Sequence, residues 1–187
     1  MAHARPSVPQ GHGELLVQPP YADWASIAEA NRAAAAAWDA RIGGLPAAEL
    51  RALARREACD AAASFSARIG VPVAAADPAG LLVMTGHQPE LYHPGVWVKD
   101  FLLQRLADDT GATAIDLVVD SDGFDTVAAV FPCMRPEAAR CRATLAVAAP
   151  GACYGCTPAP DAAQAAAFRA AGADALGTLP TPALARH

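Results

Sequence analysis

Lysine is nearly absent: of 14 basic residues in the 187-residue chain only Lys99 is a lysine, and the arginines are scattered. Phosphate-backbone binding needs a concentrated basic surface, and the formal net charge is −5, so nucleic acid is not an expected partner. Long apolar runs are missing too. No stretch reaches the roughly 18 residues of a membrane span. The N-terminal segment, with Pro6, Pro9, Gly11 and Glu14, lacks the basic-then-apolar order of an export signal, so a cytoplasmic location is expected. Aromatic residues make up only 6%, and alanine about a quarter, so the 53% hydrophobic content implies a thin core. Five cysteines (Cys59, Cys133, Cys141, Cys153, Cys156) are an odd number in a chain without an export signal, which argues against structural disulfides.

Residues 1–20 contain four prolines and little apolar periodicity, and read as an extended lead-in. Over 21–70 the period is helical. Trp24, Ile27, Asn31, Ala34 or Ala35, Trp38 and Ile42 recur at three-to-four spacing, with Gly43-Gly44 as the stop. Pro46 then suits the first turn of a second helix, which carries Leu50, Leu53, Ala54, Ala58, Ala61, Phe65 and Ile69 on one face and ends at Gly70. Together they predict an antiparallel helical hairpin.

From 71 to 187 the pattern predicts an α/β core. Leu81 to Met84, between Gly80 and Gly86, reads as a buried strand; Val96 to Asp109 as a helix with Val96, Trp97, Phe101, Leu102 and Leu106 inward; and Ile115 to Val119 as a second buried strand. A strand–helix–strand unit defaults to parallel pairing, which puts both strand C-termini on one edge. Val127 to Phe131 and Thr144 to Ala148 are weaker strand candidates, and Asp161 to Ala171 a last helix. The expected fold class is therefore α/β, a helical hairpin followed by a small, Rossmann-like, mainly parallel sheet. So few strands leave an edge bare, which makes a homodimer an expected assembly.

Ligands of open α/β sheets lie beyond the carboxyl ends of the strands. Two polar segments fall there: 85–95 after the first strand and 120–125 after the second. They hold His87 and His93, Asp120 and Asp122, and lead to Lys99 near the start of the helix, whose N-terminus favours anions. The candidate catalytic residues are His87, His93, Asp120 and Asp122; the candidate ligand-binding residues are Thr85, Gly86, Gln88, Gly95 and Lys99. Structural readings stand beside these: His87 as a cap or the partner of a buried carbonyl, and Asp120 and Asp122 as turn formers before Gly123.

Thr85-Gly86-His87-Gln88-Pro89-Glu90-Leu91-Tyr92-His93-Pro94-Gly95, followed by a helix and a strand that ends in an acidic cluster, resembles a known pattern. It is similar to the Thr-Gly-Gln-Gln loop and later Glu-Asp-His-Asp-Phe segment of the bacillithiol-biosynthesis cysteine-adding enzymes, over about residues 80–130. Thr85, Gly86, Gln88 and Phe124 match, and Leu91 and Tyr92 fit a Leu-Phe pair. His87 stands in place of a glutamine, His93-Pro94 replace Thr-Gly, and Asp120-Ser121-Asp122-Gly123 replaces Glu-Asp-His-Asp, so the acidic segment has no histidine. The resemblance implies a Rossmann-like core akin to nucleotidylyltransferases and class I aminoacyl-tRNA synthetases, and chemistry of ligase or nucleotidyl-transfer type. The shorter chain and the missing coiled-coil pattern suit a divergent or truncated relative.

His93-Pro94-Gly95-Val96 also keeps three positions of the His-x-Gly-His signature with which nucleotidylyltransferases hold ATP phosphates. A nucleotide such as ATP with Mg²⁺, or another small anionic metabolite, is the expected ligand, with Asp120 or Asp122 on Mg²⁺ or on an amine. Two alternatives remain: a catalytically silent small-molecule-binding domain, and a metal-dependent hydrolase using His87, His93 and Asp120 or Asp122. Cys153-Tyr154-Gly155-Cys156 is a C-x-x-C pair, but Cys133 and Cys141 do not form a second one, so zinc is disfavoured and ordinary thiols are expected.

Overall fold

A computed structural model describes residues 8–11, 13–90 and 94–178. The chain divides into two compact units, one formed by Met1–Met84 with Phe101–Ile115 and the other by Thr85–Asp100 with Asp116–His187. The fold is mixed α/β. Among the described residues the strands form three separate two-stranded ladders.

In the first unit, helix α1 (Trp24–Ala36) is followed by strands β1 (Arg41–Ile42) and β2 (Leu45–Pro46) and helix α2 (Ala47–Arg68). Gly43 and Gly44, expected as a helix stop, have φ of 58° and 84° and turn β1 antiparallel onto β2. Two consecutive positive φ values are the requirement of a type I′ hairpin turn, which glycine meets without strain. The expected helical hairpin, α1 packed on α2, is not clearly shown. Arg51 donates to the Ala35 carbonyl, but α1 has no buried residue, α2 buries only Ala47 and Cys59, and Leu53, Phe65 and Ile69 stay exposed. Alanine methyl groups offer too little surface for a tight interhelical seam.

The core of this unit is Val83 with Leu103, Leu106 and Ala107, covered by Tyr21, Trp24 and Leu81. Val83 comes from β3 (Leu82–His87), and the leucines from α3 (Pro94–Thr110), which precedes β4 (Thr113–Val118). Phe101, expected inward, is 72% exposed. Leu103, one turn before Leu106 on the same face, takes the buried position, because the helix presents its 103–106–107 stripe to the core.

β3 and β4 pair in parallel, as the strand–helix–strand reading requires. Thr113 N–H donates to the Leu81 carbonyl at one end of the pair, and Val119 N–H to the His87 carbonyl at the other. Gly86 is where the two backbones crowd: a Cβ there would stand 2.9 Å from the Leu117 carbonyl oxygen.

In the second unit β5 (Thr126–Met134) and β6 (Ala138–Val147) form an antiparallel hairpin, with α4 (Ala162–Gly177) packed on it. The expected single, mainly parallel sheet is thus corrected. Only residues 135–137 connect β5 to β6, and a parallel connection needs a dozen or more. Cys133 and Cys141 are disulfide-bonded, which corrects the expectation of free thiols. The register pairs Phe131 with Cys141 and Cys133 with Ala139, setting the two cysteines diagonally with Cα atoms 6.1 Å apart, inside disulfide range. Phe131 and Phe168 meet at 6.3 Å, and Asp161 caps α4 through a reciprocal bond with Gln164. Among the described residues no helix is long and apolar enough to cross a membrane.

Candidate functional site

Parallel pairing fixes where β3 and β4 release the chain. His87 ends β3 and Val119 follows β4, and the 3.0 Å bond between them starts the next segments side by side. Gln88 Nε2 then donates to Asp122 Oδ2 at 2.7 Å, across 34 residues of sequence. Two of the expected residues are therefore in direct contact. Thr85 and His87 have half-buried side chains on the same strand, whereas Gly86 answers to the close approach of Leu117.

A third segment, not expected at this edge, closes on the loop after β4. The 3₁₀ turn Tyr154–Cys156 docks its backbone on it: Tyr154 N–H donates to the Asp122 carbonyl (3.2 Å) and Gly155 N–H to the Asp120 carbonyl (2.8 Å), while Gly123 bridges Cys153. The Tyr154 ring stacks on Phe124, centroids 4.1 Å apart and planes 10° from parallel, and its hydroxyl donates to Glu90 at 2.8 Å. Partial burial, that hydrogen bond and the Glu90 and Asp122 charges push the Tyr154 phenol up to about 12. The β5–β6 hairpin explains the juxtaposition. It returns the chain to its starting point, where Ala148 N–H meets the Asp125 carbonyl, so the residues after Val147 arrive beside 120–125.

Glu90, Phe124, Tyr154 and Gly155 thus join Gln88, Asp120 and Asp122. Glu90 and Phe124 lie within the two loops already expected at this edge, whereas the one sequence signal for Tyr154 and Gly155 was the C-x-x-C motif that contains them. A Cβ at Gly155 would lie 3.0 Å from Asp120 Oδ2, so a side chain there would have to displace the Asp120 carboxylate.

Asp116, inside β4, is a further carboxylate near this end of the pair. Partial burial first, then the Asp100 charge, raise its pKa, and the His87 imidazole opposes them. Lys99 is exposed on α3 and bonds to no member of the Gln88–Asp122 network; Gly95 lies in the first turn of the same helix. His93 lies outside the described residues, with Leu91 and Tyr92. The hydrolase alternative, which needs His93 as a ligand, rests on that residue. Among the described residues no group of three or more His, Cys, Asp or Glu is gathered as metal ligands. A groove of about 320 Å³ beside Phe131, Arg135, Arg142 and Asp174 contains none of the expected site residues.

Comparison with protein-family models, curated proteins and solved structures yields no match. The functional reading rests on this geometry.

Proposed function

We propose that the protein is an α/β domain with a Rossmann-like core around the β3–β4 pair, which binds a nucleotide or another small anionic metabolite at the carboxyl edge of that pair. The observation that carries the reading is the Gln88–Asp122 bond, because it joins the two loops that leave adjacent parallel strands. That is where open α/β folds hold their ligands. Gly95 at the start of α3 and the exposed Lys99 provide a positive helix end and a full charge for the anion. Thr85, His87 and Gln88 supply further polar groups. The Asp120 and Asp122 carboxylates accept hydrogen bonds from ligand hydroxyls or an amine, and one bond from Gln88 leaves Asp122 with acceptor capacity to spare.

In its enzymatic form this site would serve ligase or nucleotidyl-transfer chemistry, where donors aimed at developing phosphate charge lower the barrier. A catalytically silent binding domain is the second reading. It is favoured by the pairing of Gln88 with Asp122 and of Glu90 with Tyr154, which engages polar groups with one another.

Calorimetric titration with Mg-ATP and with inorganic phosphate tests the binding, using wild type and Lys99→Ala. Lys99 is exposed, so its removal should leave the fold intact. A charge-assisted contact is worth about 1.5–3 kcal/mol, so the variant should bind on the order of ten- to a hundredfold more weakly. Equal affinities would overturn the assignment of Lys99 to the anion. Turnover of ATP separates the enzymatic from the silent reading.

A further inference from the structure

Cys153 and Cys156 have their Sγ atoms 2.6 Å apart, closer than two unbonded sulfurs ordinarily sit, at the rim of the loop network. Cys59 is buried, and Cys133 and Cys141 are already joined, so this pair stands apart among the cysteines. Cys156 is exposed and Cys153 half-buried, which lets a small molecule reach the former while the latter stays sheltered behind it.

The turn that holds them is pinned from several sides. Within it, Cys156 N–H and the Thr157 hydroxyl both donate to the Cys153 carbonyl, at 3.2 and 2.9 Å. Outside it, Asp120, Asp122 and Glu90 accept from Gly155, Tyr154 and the Tyr154 hydroxyl. The sulfurs are therefore brought together by backbone bonds that do not involve them, and joining them requires a movement of only about half an ångström toward the ordinary disulfide length.

We propose that Cys153 and Cys156 form a dithiol/disulfide couple that exchanges with small-molecule disulfides. The Cys156 thiolate attacks one sulfur of a disulfide RSSR, forming a Cys156–SR mixed disulfide and releasing RS⁻. Cys153 then loses its proton, its sulfur attacks Cys156 Sγ, and the second RS⁻ leaves. The protein pair loses two electrons, RSSR gains them, and the two protein protons end on two RSH. The hydrogen bond shared with Cys153, then the charge of Cys153 and slight desolvation, with Asp120 adding its own charge, hold the Cys156 thiol above its ordinary range, against a backbone hydrogen bond from the same turn that opposes them. Only the thiolate attacks, so exchange accelerates as pH rises.

The test uses the full chain, reduced under conditions that leave Cys133–Cys141 intact, then incubated with mixtures of oxidised and reduced glutathione. Acid quench, alkylation and peptide mass mapping report each cysteine. The expected result is a Cys153–Cys156 disulfide in the peptide that contains both residues, with Cys59 unreacted. Cys153→Ser should trap glutathione on Cys156, whereas Cys156→Ser should acquire an adduct about tenfold more slowly or less, because its remaining thiol is sheltered. Wild-type protein in which both cysteines stay alkylatable across all mixtures would overturn the proposal. So would equally fast adduct formation at either cysteine with no intramolecular bond.

Discussion

β3 and β4 lie side by side although residues 88–112 separate them, whereas β5 and β6 are joined through residues 135–137 alone. The parallel pair sends both of its chain exits to one edge, and the polar loops of the candidate site meet there. The antiparallel hairpin sends the chain back to its own beginning, and its exit delivers the Tyr154–Cys156 turn to the loop that β4 had released. One ladder creates the edge; the other, closed by a disulfide, supplies a wall for it.

The largest expected effect separates the two ladders by what holds them. Replacing both Cys133 and Cys141 with alanine should cost about 2–4 kcal/mol in urea unfolding, since a native disulfide restricts the unfolded chain. Under strongly reducing conditions the wild type should fall toward the variant. A variant as stable as the oxidised wild type would mean that strand pairing and α4 alone close the hairpin.

A smaller effect is expected in the parallel pair, from Gly86→Ala. The new methyl would meet the Leu117 carbonyl oxygen at 2.9 Å and the Leu117 Cβ at 3.2 Å, and neither belongs to a flexible chain end. Overpacking of this kind costs roughly 1–3 kcal/mol. Gly155→Ala should cost less, because the atom it meets is the movable Asp120 carboxylate at 3.0 Å. The same unfolding series checks both, and the reverse order would remove the tight contact between β3 and β4 from the account.

The smallest effect is the pH response of the wall. The Tyr154 phenol, raised from an ordinary value of 10 to about 12, keeps its proton more firmly folded than unfolded. Its contribution is fully present below pH 10 and is lost as pH rises toward 12. Tyr154→Phe should therefore show a shallower alkaline loss of stability than wild type, with phenolate absorbance assigning the late-titrating tyrosine. Identical alkaline profiles would detach Tyr154 from Glu90.

How much of this was legible in the sequence follows the same division. Leu81 to Met84, the helix after it and Ile115 to Val119 carry regular periods, so the parallel pair and the meeting of its two loops can be read directly. β5 and β6 are richer in alanine and arginine, with Cys133, Pro132 and Arg140 interrupting any alternation, and their full lengths were not readable. Without the hairpin, nothing in the spacing of Cys133 and Cys141 shows a diagonal pair, nor that Cys153 returns to Gly123. Gly43-Gly44 suits a helix end and a hairpin turn equally, and only the ladder of Arg41 with Pro46 decides between them.

The most direct test of the claim that ligand binds at the edge of the parallel pair is to follow backbone amide shifts while isotope-labelled wild type is titrated with Mg-ATP. The largest changes are expected at Gln88, at 95–99 and at 120–124, with the amides of β5 and β6 nearly still. Changes centred on Phe131, Arg135 and Arg142 beside the groove under α4, or none at any concentration, would contradict it.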